Sequence, residues 1–459
     1  MNRPAPALGP FAFLWAFALL YHQIAYGYIL ASPIDTALGL MAGGVMVWPR
    51  SGTMLVGLAA LHTTVVYLQL PEVTNHWYFG GLVSLGILLS AAVAWGPRAR
   101  RSGEAFDRRM AAAFTPVAQA CLLLLYGLSG FHKLNHDFFT PGVSCASVLT
   151  GQVADRFHLG GTVPDPGMMG VWLTVVVELG LPLLLAGRRW RVAGILLALA
   201  FHVVMAAAGY PRFSATGVAL LTLLVPAEAW GPWSTRLGER LGELGTLVAR
   251  GALPGLLLLA TWAGSPLRER AFLGTQWLLT LAAGTVVVVA WLRKVPPLRL
   301  AILGGGWRPA GPAWVAALLV LAIAAAPYLG LGTHRALSMY SNLRTEGGAS
   351  NHLLLPASLQ IFPYQRDLVA IHSSSAASLR NLADHGLLVP WQEVRALLTT
   401  AVKQSGGAPV SIGYSRGGTR HDIPDAAADP RLGLPVSRAA VLLLRFRPVE
   451  ASGPRRCTV

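Results

Sequence analysis

Apolar runs of membrane-spanning length recur along most of this chain, and they limit it to one kind of fold. They fall at about 11–31, 36–48, 52–70, 76–96, 111–131, 168–186, 190–209, 213–230, 251–264, 271–292 and 312–330. Hydrocarbon offers no water to satisfy a backbone, so only helices or closed barrels cross it, and runs near twenty residues suit helices. Composition agrees. The chain is 54% hydrophobic and only 12% charged, where a soluble domain carries about 25% charged residues. Residues 1–330 therefore read as an all-α polytopic membrane helical bundle of about 9–11 spans. The runs 36–48 and 251–264 are short for a span and read as half-helices or tilted packing elements. The first run holds Tyr21-His22-Gln23 and has one arginine before it, so it reads as a retained span rather than a cleaved signal.

The net charge of +16 is mostly arginine. In a membrane protein this bears first on topology and on anionic lipid. The densest cluster, Arg98, Arg100, Arg101, Arg108 and Arg109, is expected in the cytoplasm. Counting spans from there also places Arg50, Arg188-Arg189-Trp190-Arg191, Arg236, Arg240, Arg250 and Arg293-Lys294 inside. The N-terminus is then cytoplasmic and the C-terminus extracytoplasmic. Arg212 and the Arg268–Arg270 pair fall on the outer side and are exceptions. No basic stretch is interleaved with aromatics, so the expected partner is the lipid bilayer and not nucleic acid. Three cysteines give neither a disulfide framework nor a metal spacing. Cys121 reads as inert core, and Cys145 and Cys457 can pair if both lie outside.

Residues 132–167 are rich in Gly, Pro, Asp and His and read as an outer loop folded over the bundle. Residues 331–459 are less apolar and read as a small extracytoplasmic α+β domain. Its pattern predicts a helix over 390–402 and strands over Leu368–His372, Val410–Tyr414 and Ala439–Phe446. The Gly-, Pro- and Asp-rich stretch 415–437 reads as a mobile loop.

Several polar groups sit where they are costly. Lys133 closes a long apolar run, among His132, Asn135, His136 and Asp137. It is either an anchor reaching for headgroups or a base in a partly dry site. His76 opens a span in Asn75-His76-Trp77-Tyr78, and His202 lies about two turns from an outer end. Glu178 lies near the middle of its run. Each has a plain alternative: a histidine can be a hydrogen-bonded packing residue, and Glu178 can satisfy a backbone group or pair with an arginine. The shared depth of His76, Lys133 and His202 favours a site, because intramembrane polar groups face the bundle interior or a wet cavity.

These residues resemble a family. Gly130-Phe-His-Lys133-Leu-Asn-His-Asp137-Phe138 is similar to the Ala-Gly-x-x-Lys-Leu-x-x-Asp-Trp segment of the vitamin K-dependent gamma-carboxylases and their bacterial HTTM (horizontally transferred transmembrane) relatives. Asn75-His76-x-Tyr78 resembles their Asn-His-x-Tyr segment. Glu178, Phe201-His202 and Gly209-Tyr-Pro-Arg-Phe213 resemble the family's acidic residue, Phe-His and Gly-x-Phe-Pro blocks, in the same order. Leu337-Ser-Met-Tyr-Ser-Asn342-Leu-Arg344 is similar to the Phe-Ser-x-x-Met stretch after the last span. The resemblance covers about residues 10–370.

It implies a carboxylase-like protein of a bacterial plasma membrane. Its cofactor would be a reduced naphthoquinone, vitamin K hydroquinone or menaquinol, and its substrate an extracytoplasmic peptide or protein. The catalytic residues implied are Lys133, as base, and His76. Asn75, His202 and Glu178 are implied in cofactor binding. In the family, the quinol is oxidised by O2 to an epoxide, and the base so released takes a γ-proton from a glutamate that CO2 then traps. The chain departs from the family in three places. His132 precedes Lys133, the post-span block lacks the family's Trp-Arg and downstream histidine (His352 being a possible substitute), and the C-terminal region is far shorter. Quinol oxidation is thus expected with or without carboxylation. The alternative is a non-catalytic membrane scaffold or transporter-like bundle whose outer domain binds a partner.

Overall fold

The computed structural model describes residues 8–95, 103–158, 167–259, 265–295, 300 and 311–457. The bundle is built from α1 (Leu8–Ala25), α2 (Pro33–Val47), α3 (Gly52–Gln69), α4 (Asn75–Ala94), α5 (Gly103–His132), α6 (Cys145–Arg156), α7 (Gly167–Ala186), α8 (Arg191–Ala207), α9 (Pro211–Leu221), α10 (Ala227–Leu259), α11 (Ser265–Leu292) and α12 (Trp314–Leu329). Among the described residues seven helices, α1, α3, α4, α5, α7, α11 and α12, are long and apolar enough to cross a membrane. This is the helix content of an integral membrane protein. The expectation of about 9–11 spans counted further runs that fold as shorter apolar helices. These are α2, α8, α9 with the 3-10 turn after it, and the last part of α10. Residues 260–264, the end of the run expected at 251–264, lie outside the described residues, as do Arg98, Arg100 and Arg101.

Local chemistry sets several boundaries. Ser32 caps α2 by accepting from the Asp35 amide, with Pro33 in the first turn, and Ser51 caps α3 by accepting from the Met54 amide. Gly242 breaks α10 with φ 66°, a conformation that costs glycine nothing. A continuous apolar core joins the helices, with Phe11, Trp15 and Phe114 in ring contact at its centre.

The C-terminal region carries an antiparallel sheet of β1 (Leu368–Ser374), β2 (Leu387–Pro390), β3 (Ile412–Arg416), β4 (Thr419–Ile423) and β5 (Val449–Glu450), in the order β4-β3-β1-β2-β5. Helices α13 (Ala377–Asp384) and α14 (Trp391–Gln404) pack on it around a second core with Val369, Val394, Leu398 and Tyr414 at its centre. β1, β3 and α14 lie close to where the sequence predicts them.

Two expectations are corrected. Residues 439–446 form not a strand but a short helix, α15 (Arg438–Leu443), followed by extended chain. Ser437 caps it by accepting from the Ala440 amide, and its Ala and Leu residues are good helix formers. The stretch 415–437 is not a plain loop. Gly417 and Gly418, with φ 55° and 79°, make a two-residue turn pairing Arg416 with Thr419, so β3 and β4 form a hairpin.

Buried polar contacts hold the C-terminal region together and tie it to the bundle. Arg445 pairs with Glu393 at 2.7 Å, and the Phe446 amide donates to the same carboxylate. Arg447 donates to the carbonyls of Ser338 and Leu343. Gln365 donates to the Pro327 carbonyl, inside α12. Residues 331–366 therefore lie against the end of the bundle, and they complete the site described next.

Candidate functional site

Lys133 follows directly on α5, one turn after Gly130. A Cβ at Gly130 would meet the Glu178 Cβ at 3.1 Å and the Leu179 side chain at 3.0 Å. A Cβ here would push its neighbours by a few tenths of an ångström, so the glycine favours the close approach of α7 to α5. The approach brings Lys133 Nζ within 2.6 Å of Glu178 Oε2. Nζ also donates to the Ser129 carbonyl at 3.3 Å. Both side chains are buried, at 3% and 6% exposure for the two residues. A lone charge at such a site is expensive, whereas a closely paired one is tolerated. Lys133 does not reach outward like an anchor, and Glu178 pairs with this lysine rather than with an arginine.

The pair lines a cavity of about 420 Å³. Asn75 and His76, at the start of α4, line the same cavity, though they are separated from Lys133 by more than fifty residues. The Asn75 Oδ1 is buried and accepts no hydrogen bond. His76 Nε2 lies 3.2 Å from His22 Nδ1, and the His22 ring stacks on Trp77 at 3.7 Å. One histidine nitrogen donates to the other, so this contact couples the tautomers of the two rings and orients the His76 ring. The remaining walls are mostly apolar: Phe138, Leu125 and Val177 from the bundle, Leu149 and Val153 from α6.

On one side the cavity meets the outer surface of the bundle. Leu173 of α7 and Val204 of α8 both line it, yet they are 62% and 57% exposed. Leu173 stands on a membrane-length helix and Val204 on the shorter apolar helix beside it. The cavity therefore opens between α7 and α8 onto an apolar outer surface of the bundle.

The post-span block closes another side. Leu337, Met339 and Tyr340 line the cavity. Leu337, Tyr340 and Asn342 have φ of 56°, 52° and 53°, three non-glycine residues in left-handed conformation within six positions. Such backbone persists only where surrounding contacts over-determine it, and the contacts are present. Asn342 accepts from the Cys145 amide and donates to the carbonyls of Val143 and Arg455. Cys145 is disulfide-bonded to Cys457, with Cα atoms 5.0 Å apart. Asn135 donates to the His132 and Ser341 carbonyls and accepts from the Phe138 amide. Asp137 accepts from Asn351 and from the Arg455 amide. Within the lysine motif, Asn135 and Asp137 thus build the loop around the site, and Lys133 faces the cavity.

The other polar residues singled out by sequence lie elsewhere. His202 does not line the cavity. It is fully buried behind the wall, with Nε2 2.7 Å from the Tyr126 hydroxyl, and its ring is seated against Gly217. His132 is turned away, bonded to the Tyr328 hydroxyl at 2.7 Å and the Ala336 carbonyl at 3.0 Å. His352 bonds the Phe131 carbonyl and receives the Leu354 and Leu355 amides. It is a structural clasp and does not supply a histidine to the cavity. Sequence reasoning missed Ser129 and the wall of α6, which carry no motif of their own, and gave Tyr340 no role within the post-span block. Among the described residues no group of three or more His, Cys, Asp or Glu side chains could hold a metal ion. Comparison with protein-family models, with curated proteins and with solved structures finds no match.

Proposed function

We propose that this protein is a membrane enzyme of the carboxylase-like kind that oxidises a reduced naphthoquinone with O2, with Lys133 and Glu178 handling the proton. One observation carries the reading. Lys133, Glu178, Asn75 and His76, drawn from three distant parts of the chain, line a single apolar-walled cavity that reaches the apolar outer surface of the bundle.

The residues present fit such a ring. The cavity volume of about 420 Å³ lies in the range typical of small-molecule sites, roughly 300–1,000 Å³. The unpartnered Asn75 Oδ1 is an acceptor suited to a phenolic hydroxyl. The opening between α7 and α8 suits a ligand that dissolves in the bilayer. When bound, a reduced naphthoquinone would supply the four electrons that take O2 to an epoxide oxygen and water, and with them the driving force for taking a γ-proton from a peptide glutamate.

The chain's own residues then have defined tasks. Asn75 holds a hydroxyl hydrogen with Oδ1, and His76, oriented by His22, polarises a neighbouring oxygen. The Lys133–Glu178 pair has two seats for a proton, Nζ and Oε2, 2.6 Å apart. Apolar walls keep water from the base. His202 acts through Tyr126 as a positioning residue. The Cys145–Cys457 disulfide supports an oxidising, extracytoplasmic location for this end of the bundle, in line with the arginine distribution.

The test is oxygen-dependent quinol consumption by purified protein in lipid nanodiscs. Lys133→Ala and Glu178→Gln should each lower turnover by about two to four decades, the usual worth of a positioned proton-transfer group. Lys133→Arg should fail as well, since guanidinium keeps its proton. Wild-type turnover in the arginine variant would reduce the protein to the scaffold reading.

A further inference from the structure

Two of the outward arginines that are exceptions to the charge distribution, Arg212 and Arg268, meet Arg156 at a second place in the molecule. Arg212 stands in the first turn of α9, Arg268 in the first turn of α11 and Arg156 at the last residue of α6. All three line one small cavity of about 80 Å³, with Tyr21 and the backbone around Gly209. That is the space of roughly two or three waters at ~30 Å³ each. The Arg156 guanidinium lies against the turn between α8 and α9, where a Cβ on Gly209 would meet its Nη2 at 3.4 Å. The Arg212 guanidinium lies over the Tyr26 ring at 4.4 Å, which leaves its edge free to donate.

This charge is only partly compensated. Glu269 lines the same cavity, but among the described residues it comes within ion-pair distance of none of the three arginines. With one carboxylate against three guanidiniums the cavity keeps two net positive charges. Two of the arginines also stand at helix N-termini, where the macrodipole disfavours cations. No side chain caps α9, and because Pro211 has no N–H the amides of Arg212 and Phe213 are the donors added there. Positive charge on the outer side works against the usual arginine bias. Converging guanidiniums, free amides and a small polar space are the attributes of an oxyanion site.

We infer that Arg156, Arg212 and Arg268 bind a phosphate group, supplied by an anionic lipid headgroup or by free phosphate. The site is separate from the lysine cavity and does not depend on the reading of it.

The experiment uses the full chain in neutral detergent. Dioleoyl phosphatidic acid, dioleoyl phosphatidylcholine and inorganic phosphate are the probes, and native mass spectrometry and thermal unfolding are the readouts. Phosphatidic acid should bind and stabilise. Arg212→Gln/Arg268→Gln should weaken it at least tenfold, because a hydrogen bond to a charged group is worth about a decade or more in binding. Glu269→Gln, at an exposed carboxylate and thus harmless to folding, should tighten it several-fold. Binding of phosphatidic acid but not of inorganic phosphate identifies the headgroup as the source. Inorganic phosphate binding with the same arginine dependence identifies free phosphate. The inference is overturned if neither phosphate probe binds, if affinity is unchanged in the double arginine variant, or if Glu269→Gln has no effect.

Discussion

A Cβ on Gly130 would lie 3.1 Å from the Cβ of Glu178, so the glycine one turn before Lys133 stands where α5 and α7 approach each other. The spacing Gly-x-x-Lys therefore carries two linked functions. The glycine admits the partner helix, and the lysine receives the carboxylate that helix brings.

Gly130→Val should separate the two helices. Overpacking a close contact costs about 1–3 kcal/mol, and the 2.6 Å ion pair would lengthen with it. Lower thermal stability together with lost quinol turnover is expected, and Gly130→Ala should be intermediate. Full activity in the valine variant would show that the helix approach is not needed.

The Lys133–Glu178 pair should show strong coupling in a double-mutant cycle. Removing one partner leaves a buried unpaired charge, at a cost of about 3–5 kcal/mol. Lys133→Met/Glu178→Leu should recover most of that stability while remaining inactive. Unfolding midpoints of the two single variants and the double variant check this; simple additivity would mean that the two residues stabilise independently.

The Cys145–Cys457 bond closes a loop of 312 residues and ties the tail to the start of α6. Its loss should cost about 2–4 kcal/mol. Cys457→Ser should unfold at lower temperature than the wild type, and a non-reducing peptide digest of the wild type should contain the two cysteines cross-linked. Free thiols at both positions in protein isolated from membranes would contradict the extracytoplasmic placement.

His334, just beyond α12, should contribute a pH-dependent term. Burial, together with Arg445, Arg335 and Arg447, pulls it down from 6.5 to about 4. The unfolded chain then binds the proton more readily than the folded one between those values. Its stability contribution is complete above pH 6.5 and is lost as pH falls toward 4. His334→Asn should flatten that part of the stability profile relative to wild type. An unchanged slope would exclude His334 as a contributor.

Much of the architecture is legible in the sequence, because hydrophobic run length and charge placement are local properties. The runs that become α1, α3, α4, α5, α7, α11 and α12 announce themselves by length alone. The hairpin at Gly417-Gly418 was equally local, hidden only by the polar residues around it. The helix α15 was missed because a short run of Ala, Val and Leu fits a strand or a helix, and the Ser437 cap decides between them. The site is divided in the same way. Lys133 and Asn75-His76 stand out because polar groups beside hydrocarbon need a reason. What sequence could not supply is which of them meet. Glu178 faces Lys133 because Gly130 lets two helices touch. His202, at the same apparent depth, sits behind a wall because its ring fills the space over Gly217. Arg212 and Arg268 look like scattered exceptions until α6, α9 and α11 bring them and Arg156 to one cavity. Depth along a helix is written in sequence, whereas rotation about its axis and the identity of its neighbour are set by packing.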